Sequence, residues 1–126
     1  LQNSINALIL TNTTNVNREY LNDPQKDEQG GLSGKPIEEI SNNLINKFFK
    51  ILKNKIPIIG VGGVDSGKSA YRKILSGASL IQLYTGMIYK GPQIVKNIKK
   101  ELIDQLKRDG VKNFTEIIGQ KSLSNF

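Results

Sequence analysis

The sequence contains no cysteine and no histidine. Without cysteine the chain has no disulfide bond and no thiol nucleophile. Without histidine it has no serine–histidine dyad and none of the usual zinc ligand sets, so we predict no metal site. No apolar run approaches the roughly 20 residues that a membrane-spanning helix requires, and no signal peptide is visible. These absences remove several catalytic classes before any motif is considered.

The charged residues are unbalanced in favour of lysine and arginine. There are 18 Lys and Arg against 11 Asp and Glu, a formal net charge of +7. Such a surplus can indicate nucleic acid, anionic membrane or an acidic ligand. Here the lysines are spread along predicted helices, with only four Tyr and four Phe and no nucleic-acid-binding motif. We interpret the surplus as a solvated basic surface and expect no nucleic-acid partner. A non-catalytic basic module that binds nucleic acid or anionic membrane is the rival hypothesis.

The clearest pattern lies between residues 56 and 85. An apolar run, Ile56 to Val61, ends in Gly62-Gly63; a helical segment then closes at Gly77, and a second apolar run extends from Leu80 to Leu83. This order predicts one βαβ unit. Unbroken β-branched runs indicate parallel strands covered on both faces. The glycine pair leaves bare backbone at the carboxyl end of the first of these strands, which suits a phosphate.

Two kinds of phosphate site compete for this stretch. Gly62 to Ser69 matches G-x-x-x-x-G-K-[ST], the P-loop signature of nucleotide hydrolases. Such an enzyme also needs a carboxylate at a neighbouring strand end to hold magnesium, and neither Thr11-Asn12 nor Tyr84-Thr85 supplies one. In a (β/α)₈ barrel, by contrast, the loops after the last two strands commonly form a phosphate site. The barrel uses both strand ends, so we predict that Lys68 and Ser69 face solvent in a helix's first turn.

The rest of the sequence predicts further elements from hydrophobic spacing and turn residues. They are a strand at Ile5 to Leu10, a long polar loop at Val16 to Gln29, an amphipathic helix from Pro36 to about Asn54-Lys55, a second amphipathic helix from Ile94 to Leu106 that stops at Gly110, a helical turn at Asn113 to Ile118, and a frayed tail at Gln120 to Phe126.

The fold class predicted from these elements is α/β. There are three strand-then-helix units, whereas a closed barrel of about 250 residues needs eight. The chain also begins at Leu1, without a methionine and just ahead of a strand. We therefore expect residues 1–126 to be the carboxyl-terminal three βα units of a (β/α)₈ TIM barrel. This part is incomplete on its own and has no internal domain boundary.

Polar residues at two places are candidates for ligand binding. Thr11, Asn12 and Thr13 follow the first strand, where side chains reach the mouth of a barrel. The Asn12 amide donates and accepts at once, which suits a carboxylated or imide-bearing ring. Ser33 and Gly34 lie just ahead of a helix start, where an amide and a hydroxyl could meet an anion or the edge of a flavin ring. Taken singly, these patterns also fit an ordinary turn or a flexible hinge.

Four stretches in order carry a family resemblance: LTNTT at 10–14, GGLSGKP at 30–36, PIIGVGGVDSG at 57–67, and GASLIQLYTG with KGP between 77 and 92. With the ending IKKELIDQLKRDGVKNFTEIIG, they resemble the carboxyl-terminal third of dihydroorotate dehydrogenase. The resemblance is to the membrane-associated, quinone-dependent class and extends from about Ile5 to Gly119.

The resemblance implies a barrel that carries FMN at its carboxyl face and oxidises dihydroorotate to orotate in pyrimidine (UMP) biosynthesis. Ubiquinone then reoxidises the flavin through a hydrophobic tunnel. It implies a monomer that amino-terminal helices, outside this chain, seat on the mitochondrial inner membrane or, alternatively, the bacterial cytoplasmic membrane. Another FMN barrel oxidoreductase with a different substrate stays open.

The resemblance also implies roles for single residues. Asn12 and Thr13 match substrate contacts, and Tyr84 and Pro92 match walls of the quinone tunnel. The matches to FMN contacts are Thr11, Ser33, Gly34, Gly62, Gly63, Leu83, Tyr84 and Thr85. The family's catalytic base, a serine on an earlier loop, has no counterpart here, and Ser33 is not its equivalent. We therefore expect no catalytic residue in this segment and no activity from the segment alone.

Overall fold

Three parallel strands form the sheet of this protein. The computed structural model describes residues 4–16 and 18–123. Its strands are β1 (Leu8–Leu10), β2 (Ile58–Val61) and β3 (Leu80–Gln82), and β2 lies between the other two. Both strand pairs are parallel, so the carboxyl ends of all three strands meet at one edge of the sheet. The predicted βαβ unit and the predicted first strand are confirmed.

Five helices belong to the described part of the chain. They are α1 (Glu38–Leu52), α2 (Gly67–Leu75), α3 (Thr85–Lys90), α4 (Ile94–Arg108) and α5 (Gln120–Leu123). Single 3₁₀ turns precede α1 at Lys35–Ile37 and α5 at Phe114–Ile117. The structure confirms the two long amphipathic helices, the long loop and the turn near residue 114, whereas the sequence reasoning did not predict α3.

The frayed tail predicted from Gln120 onward is wrong for its first four residues. Gln120–Leu123 form α5, which packs against α1 and α2. The Gly119 N–H donates to the Ile74 carbonyl at 3.1 Å and fixes the segment just before this helix. Tertiary contacts therefore order a stretch whose composition suggested fraying. Residues 124–126 lie outside the described part of the chain.

The helices cover one face of the sheet. Ile45 of α1 packs with Ile58 and Ala78 in one buried cluster. A second buried cluster joins α2 to α4 and contains Val64, Ala70, Ile94 and Ile98. Apolar burial of this kind is the main stabilising contribution to the helix layer.

The opposite face of the sheet carries an exposed apolar row. Ile9, Ile59 and Leu80 are partners in the strand register and therefore share one face. Ile9 is 60% exposed and Leu80 59%, although large apolar side chains side by side on a sheet are normally buried. Side chains on the inward face of a (β/α)₈ barrel fill its interior, so this row matches an incomplete barrel.

Ser69 corrects one prediction made from the sequence. Lys68 is exposed as expected, but Ser69 is fully buried at the start of α2. Its hydroxyl accepts from the N–H groups of Asp65 and Ser66 at 3.0 Å each, and its own N–H donates to the Ser66 hydroxyl at 3.3 Å. The two serines form a reciprocal capping box. The hydroxyl three residues after the N-cap thus folds back onto the backbone instead of pointing to solvent.

Replacing Ser69 by alanine tests this cap. We expect Ser69→Ala to lower the free energy of unfolding by about 1–2 kcal/mol, because two partly buried N–H groups lose their acceptor. The exposed neighbour provides a matched control, and Lys68→Ala should change the same quantity by less than about 0.5 kcal/mol. Urea unfolding of the intact protein that contains this chain measures both values. Equal stabilities of the two variants would contradict the assignment.

Candidate functional site

A cavity of about 880 Å³ opens at the carboxyl edge of the sheet. The residues that follow all three strands line it, together with the glycine-rich segment 30–34. The residues predicted from the sequence that line this cavity are Thr11, Asn12, Thr13, Ser33, Gly34, Gly62, Gly63, Leu83, Tyr84 and Thr85. Pro92, just beyond α3, is exposed and is not part of its wall. The structure therefore brings the predicted cofactor and substrate residues together, while their individual roles stay predictions.

Gly62 and Gly63 form a turn that only glycine fits. Their φ angles are 113° and 74°, in a region that residues other than glycine rarely adopt. A Cβ on Gly63 would lie 2.5 Å from the Glu38 Cα, so the first turn of α1 packs directly on this backbone. Among the described residues, no protein group accepts a hydrogen bond from the N–H of Gly62 or Gly63. Two bare N–H groups at a strand end can bind an anion.

The next N–H groups along the chain are already occupied. Those of Asp65 and Ser66 donate to the Ser69 hydroxyl. That of Gly67 donates to the Glu101 carboxylate of α4 at 2.6 Å, a contact that sequence reasoning did not predict. A P-loop must offer successive N–H groups to the phosphates of a nucleotide. The geometry therefore argues against the nucleotide-hydrolase alternative, because the N–H groups of Asp65, Ser66 and Gly67 already bind protein side chains.

The polar residues after β1 face the cavity in a defined arrangement. The Thr11 N–H donates to the Val61 carbonyl at 3.0 Å and extends the pairing of β1 with β2. The Asn12 side-chain oxygen accepts from the Thr13 N–H at 2.8 Å. This bond orients the Asn12 amide and leaves its NH₂ group free to donate. Asn12 thus offers a fixed donor at the mouth of the cavity.

The glycine-rich segment packs against both neighbouring strand ends. A pair of backbone hydrogen bonds joins Thr14 to Leu32, at 3.1 and 2.7 Å. At the other end the Thr85 hydroxyl donates to the Ser33 hydroxyl at 2.9 Å, which leaves the Ser33 proton available to a ligand. A Cβ on Gly34 would lie 2.9 Å from the Thr85 Cγ2. The segment therefore spans the ends of β1 and β3.

Arg18 holds the long loop that precedes this segment. Its guanidinium donates to the carbonyls of Lys26 at 3.1 Å, Glu28 at 2.7 Å and Gly30. Three charge-assisted bonds from one side chain order a loop whose described residues are mostly exposed. Sequence reasoning missed this role, because no local spacing distinguishes this arginine from a solvated one.

Charged side chains surround the rim between β2 and α3. Lys35 and Lys90 each lie 3.6 Å from the Asp65 carboxylate. Partial burial by itself would raise the pKa of Asp65, but the hydrogen bond from Ser66 and the two lysine charges outweigh it and leave this pKa below its usual value. In the described part of the chain, no group of acidic side chains is arranged to hold a metal ion.

Behind the glycine turn, Lys73 is completely buried between α1 and α2. Its Nζ donates to the Ser41 hydroxyl at 3.0 Å and to the Asn42 side-chain oxygen at 2.7 Å. Burial lowers the pKa of Lys73 to about 8, and the charge of Glu38 opposes this shift. The Glu38 carboxylate is itself buried and lies 2.6 Å from both Lys35 and Arg72. A buried charge is tolerated only when polar partners surround it in this way.

The sequence contains a signal for this cluster that was not used. Lys73 shares the helical spacing of the buried residues Ala70, Ile74 and Gly77, and Ser41 lies four residues from both Ile37 and Ile45. A lysine and a serine on the apolar faces of two consecutive predicted helices indicate buried partners.

Comparison with known proteins relates this chain to one family. The family model described as dihydroorotate dehydrogenase matches residues 1–106. Among curated proteins, the mitochondrial dihydroorotate dehydrogenase (quinone) of Arabidopsis thaliana is 47% identical over 116 residues, which cover 91% of this chain and 25% of that protein. The dihydroorotate dehydrogenase (quinone) of Deinococcus radiodurans is 41% identical over 114 residues, which cover 90% of this chain and 31% of that protein.

Solved structures give the same relationship. The crystal structure of DHODH from Eimeria tenella in complex with ferulenol superposes with a TM-score of 0.89 at 38% identity, and the match covers 93% of this chain and 31% of the other. The ligand-free form from the same organism superposes with a TM-score of 0.88. The chain thus spans about a quarter to a third of the length of the relatives that it matches.

The buried lysine generates a pH prediction. The pKa of Lys73 is about 8 in the folded protein, against 10.5 for an ordinary lysine. Between these values the unfolded chain binds more protons, so this residue makes the free energy of unfolding rise with pH, by up to about 1.4 kcal/mol per pH unit. In Lys73→Met this contribution should vanish. Urea unfolding of both intact proteins from pH 7 to 10 measures the difference, and parallel profiles would contradict the prediction.

Proposed function

The chain belongs to the dihydroorotate dehydrogenase family, and from this premise we propose that it is the carboxyl-terminal part of a quinone-dependent member. The intact enzyme would oxidise dihydroorotate to orotate in pyrimidine biosynthesis, with FMN as cofactor and ubiquinone as electron acceptor. The segment described here supplies contacts to the flavin and to the substrate. The residue that removes the substrate proton belongs, under this proposal, to the part of the barrel that this chain does not supply.

One observation carries the proposal: ten residues that match the family's flavin and substrate contacts line a single cavity. They come from four places in the sequence, namely the ends of β1 and β3, the glycine turn that follows β2, and the glycine-rich segment. A chance match to short motifs would not bring all of them to one edge of a sheet. This edge is also where enzymes with a (β/α)₈ barrel carry their active sites.

The residues present fit a flavin phosphate at the glycine turn. Gly62 and Gly63 present unoccupied N–H groups, and the close contact with Glu38 leaves no room for a side chain at Gly63. A dianionic phosphate needs such donors. Thr85 and Ser33, hydrogen-bonded to each other across the cavity, are the residues that would flank the bound cofactor.

Bound FMN would accept the hydride from dihydroorotate, and the protein's task is to orient the two reactants. Asn12 is suited to this task, because its side-chain oxygen is fixed by the Thr13 N–H and its NH₂ group is left to bind the substrate. Thr13 lies beside it on the same wall. A donor that is held before the substrate arrives loses little entropy on binding.

Exposed apolar side chains at and just before α3 suit the proposed contact with a quinone. Tyr84, which caps the helix, is 76% exposed, Ile88 and Tyr89 within it are 68% and 85% exposed, and Pro92 lies two residues after its end. We assign Tyr84 and Pro92 to the wall of the quinone tunnel.

Relatives from Arabidopsis thaliana and Mus musculus carry the description mitochondrial, which supports the mitochondrial inner membrane as the location, with the bacterial membrane as the alternative. In residues 4–16 and 18–123, no helix has the length and hydropathy to span a bilayer.

The absorbance spectrum of the intact protein tests the proposed activity. We expect a bound flavin with its visible absorption bands, and we expect dihydroorotate to bleach them without oxygen because hydride transfer reduces the ring. Added ubiquinone should restore the absorbance. Bleaching by another substrate but not by dihydroorotate would indicate a different FMN barrel oxidoreductase, and a protein without flavin would contradict the proposal.

Asn12→Ala tests the substrate contact. The change removes the Asn12 NH₂ group, and a polar group of the bound substrate then has no hydrogen-bond donor. We therefore expect kcat/KM for dihydroorotate to fall by about tenfold or more while FMN stays bound. Asn15→Ala is a matched control, since this exposed asparagine follows β1 but does not line the cavity. Steady-state kinetics of the intact enzyme gives both values. Unchanged kinetics in Asn12→Ala would rule out the assigned role.

A further inference from the structure

The side chain of Lys73 crosses the back of β2 directly beneath the glycine turn. A Cβ on Gly60 would lie 2.8 Å from both Cγ and Cδ of Lys73. The lysine stem therefore occupies the space that a side chain at this strand position would fill. Residue 73 is fully buried within elements of this chain, against α1 on one side and β2 on the other.

From this position a chain of hydrogen bonds leads to the end of the strand. Lys73 Nζ donates to the Ser41 hydroxyl at 3.0 Å, and that hydroxyl donates its own proton to the Val61 carbonyl at 2.7 Å. The ammonium group polarises the Ser41 hydroxyl and strengthens its bond to the carbonyl. On its other side the same carbonyl accepts from the Thr11 N–H at 3.0 Å.

The Val61 carbonyl and the Gly62 N–H belong to one peptide unit. Since this unit is planar, a group that fixes the carbonyl direction also fixes the direction of the N–H at its other end. Glycine at position 62 gives the backbone after the strand unusual freedom. The carbonyl is therefore the point at which a buried side chain can orient the proposed phosphate donor.

We propose that Lys73 is a positioning residue for the flavin phosphate, which acts through Ser41 to fix the Val61–Gly62 peptide plane and aim the Gly62 N–H at the phosphate. The proposal rests on the proposed function, because it requires a phosphate-bearing cofactor at this turn. Lys73 does not touch the cofactor under this proposal. The Glu38 carboxylate, whose direct partners are Lys35 and Arg72, attracts the charge of Lys73 from a distance.

The test compares FMN with riboflavin, which has the same ring but no phosphate. In Lys73→Met, a neutral side chain of similar length, we expect the dissociation constant for FMN to rise about tenfold. The dissociation constant for riboflavin should stay within about twofold of the wild-type value. Fluorescence titration of the intact apoprotein with each flavin measures both constants. A lysine that only supports folding would weaken both flavins equally.

A second variant keeps the test decisive if Lys73→Met does not fold. Ser41→Ala removes the next hydrogen bond of the chain, from the Ser41 hydroxyl to the Val61 carbonyl, and should also weaken FMN binding selectively. Lys68→Met on α2 and Asn43→Ala on α1 are exposed controls on the same helices and should leave both constants unchanged. In the double variant Lys73→Met with Ser41→Ala, the two losses should not add, because both act through the same carbonyl.

The outcomes separate this inference from the proposed function. A selective loss of FMN affinity in Lys73→Met and Ser41→Ala supports the positioning role. If the wild-type protein binds both flavins and the variants lose neither or lose both equally, the positioning role is wrong while the proposed function stands. If the wild-type protein binds neither flavin, the proposed function is wrong and the inference falls with it.

Discussion

Parallel pairing of β2 with β1 on one side and β3 on the other is the constraint on which the cavity depends. It brings three strand ends, separated by about twenty to fifty residues in the sequence, to one edge. The glycine turn, the Thr11–Thr13 loop and the start of α3 follow these ends directly. The segment at 30–34 then closes the gap through its contacts with Thr14 and Thr85. Without this register the predicted site residues that follow different strands would not be neighbours.

The second feature on which the cavity depends is a cluster of polar and charged side chains buried beneath that edge. Lys73, Ser41 and Asn42 are inaccessible to solvent or nearly so, and Glu38 lies close behind them. Removing charged groups from water is unfavourable, so these contacts are not an efficient way to stabilise a helix layer. Apolar residues could fill the same space. The position of these polar side chains behind the Gly62 N–H agrees with the proposed role in orienting backbone donors.

The letters from Gly62 to Ser69 match a P-loop completely, yet the fold uses them for two separate purposes. The first two glycines leave their N–H groups free, whereas Ser66 and Ser69 cap α2 and Glu101 binds the Gly67 N–H. The spacing of a capping box is contained within the spacing of a P-loop, so the letters alone could not separate them. The missing carboxylate on the neighbouring strands gave the correct preference for the barrel.

The sequence by itself determined the strands, the two long helices, the long loop and ten of the residues that line the cavity, because hydrophobic period and glycine placement are local properties and four family motifs occur in order. The tertiary structure alone decided which hydrogen-bond partners the buried polar side chains have. The partners of Lys73 are about thirty residues away, and the carbonyls held by Arg18 are eight to twelve residues away. No helical or strand periodicity in the sequence predicts hydrogen bonds between residues so far apart. Hydrogen bonds between elements depend on how the helices pack on the sheet, and that packing is settled by all the buried side chains together.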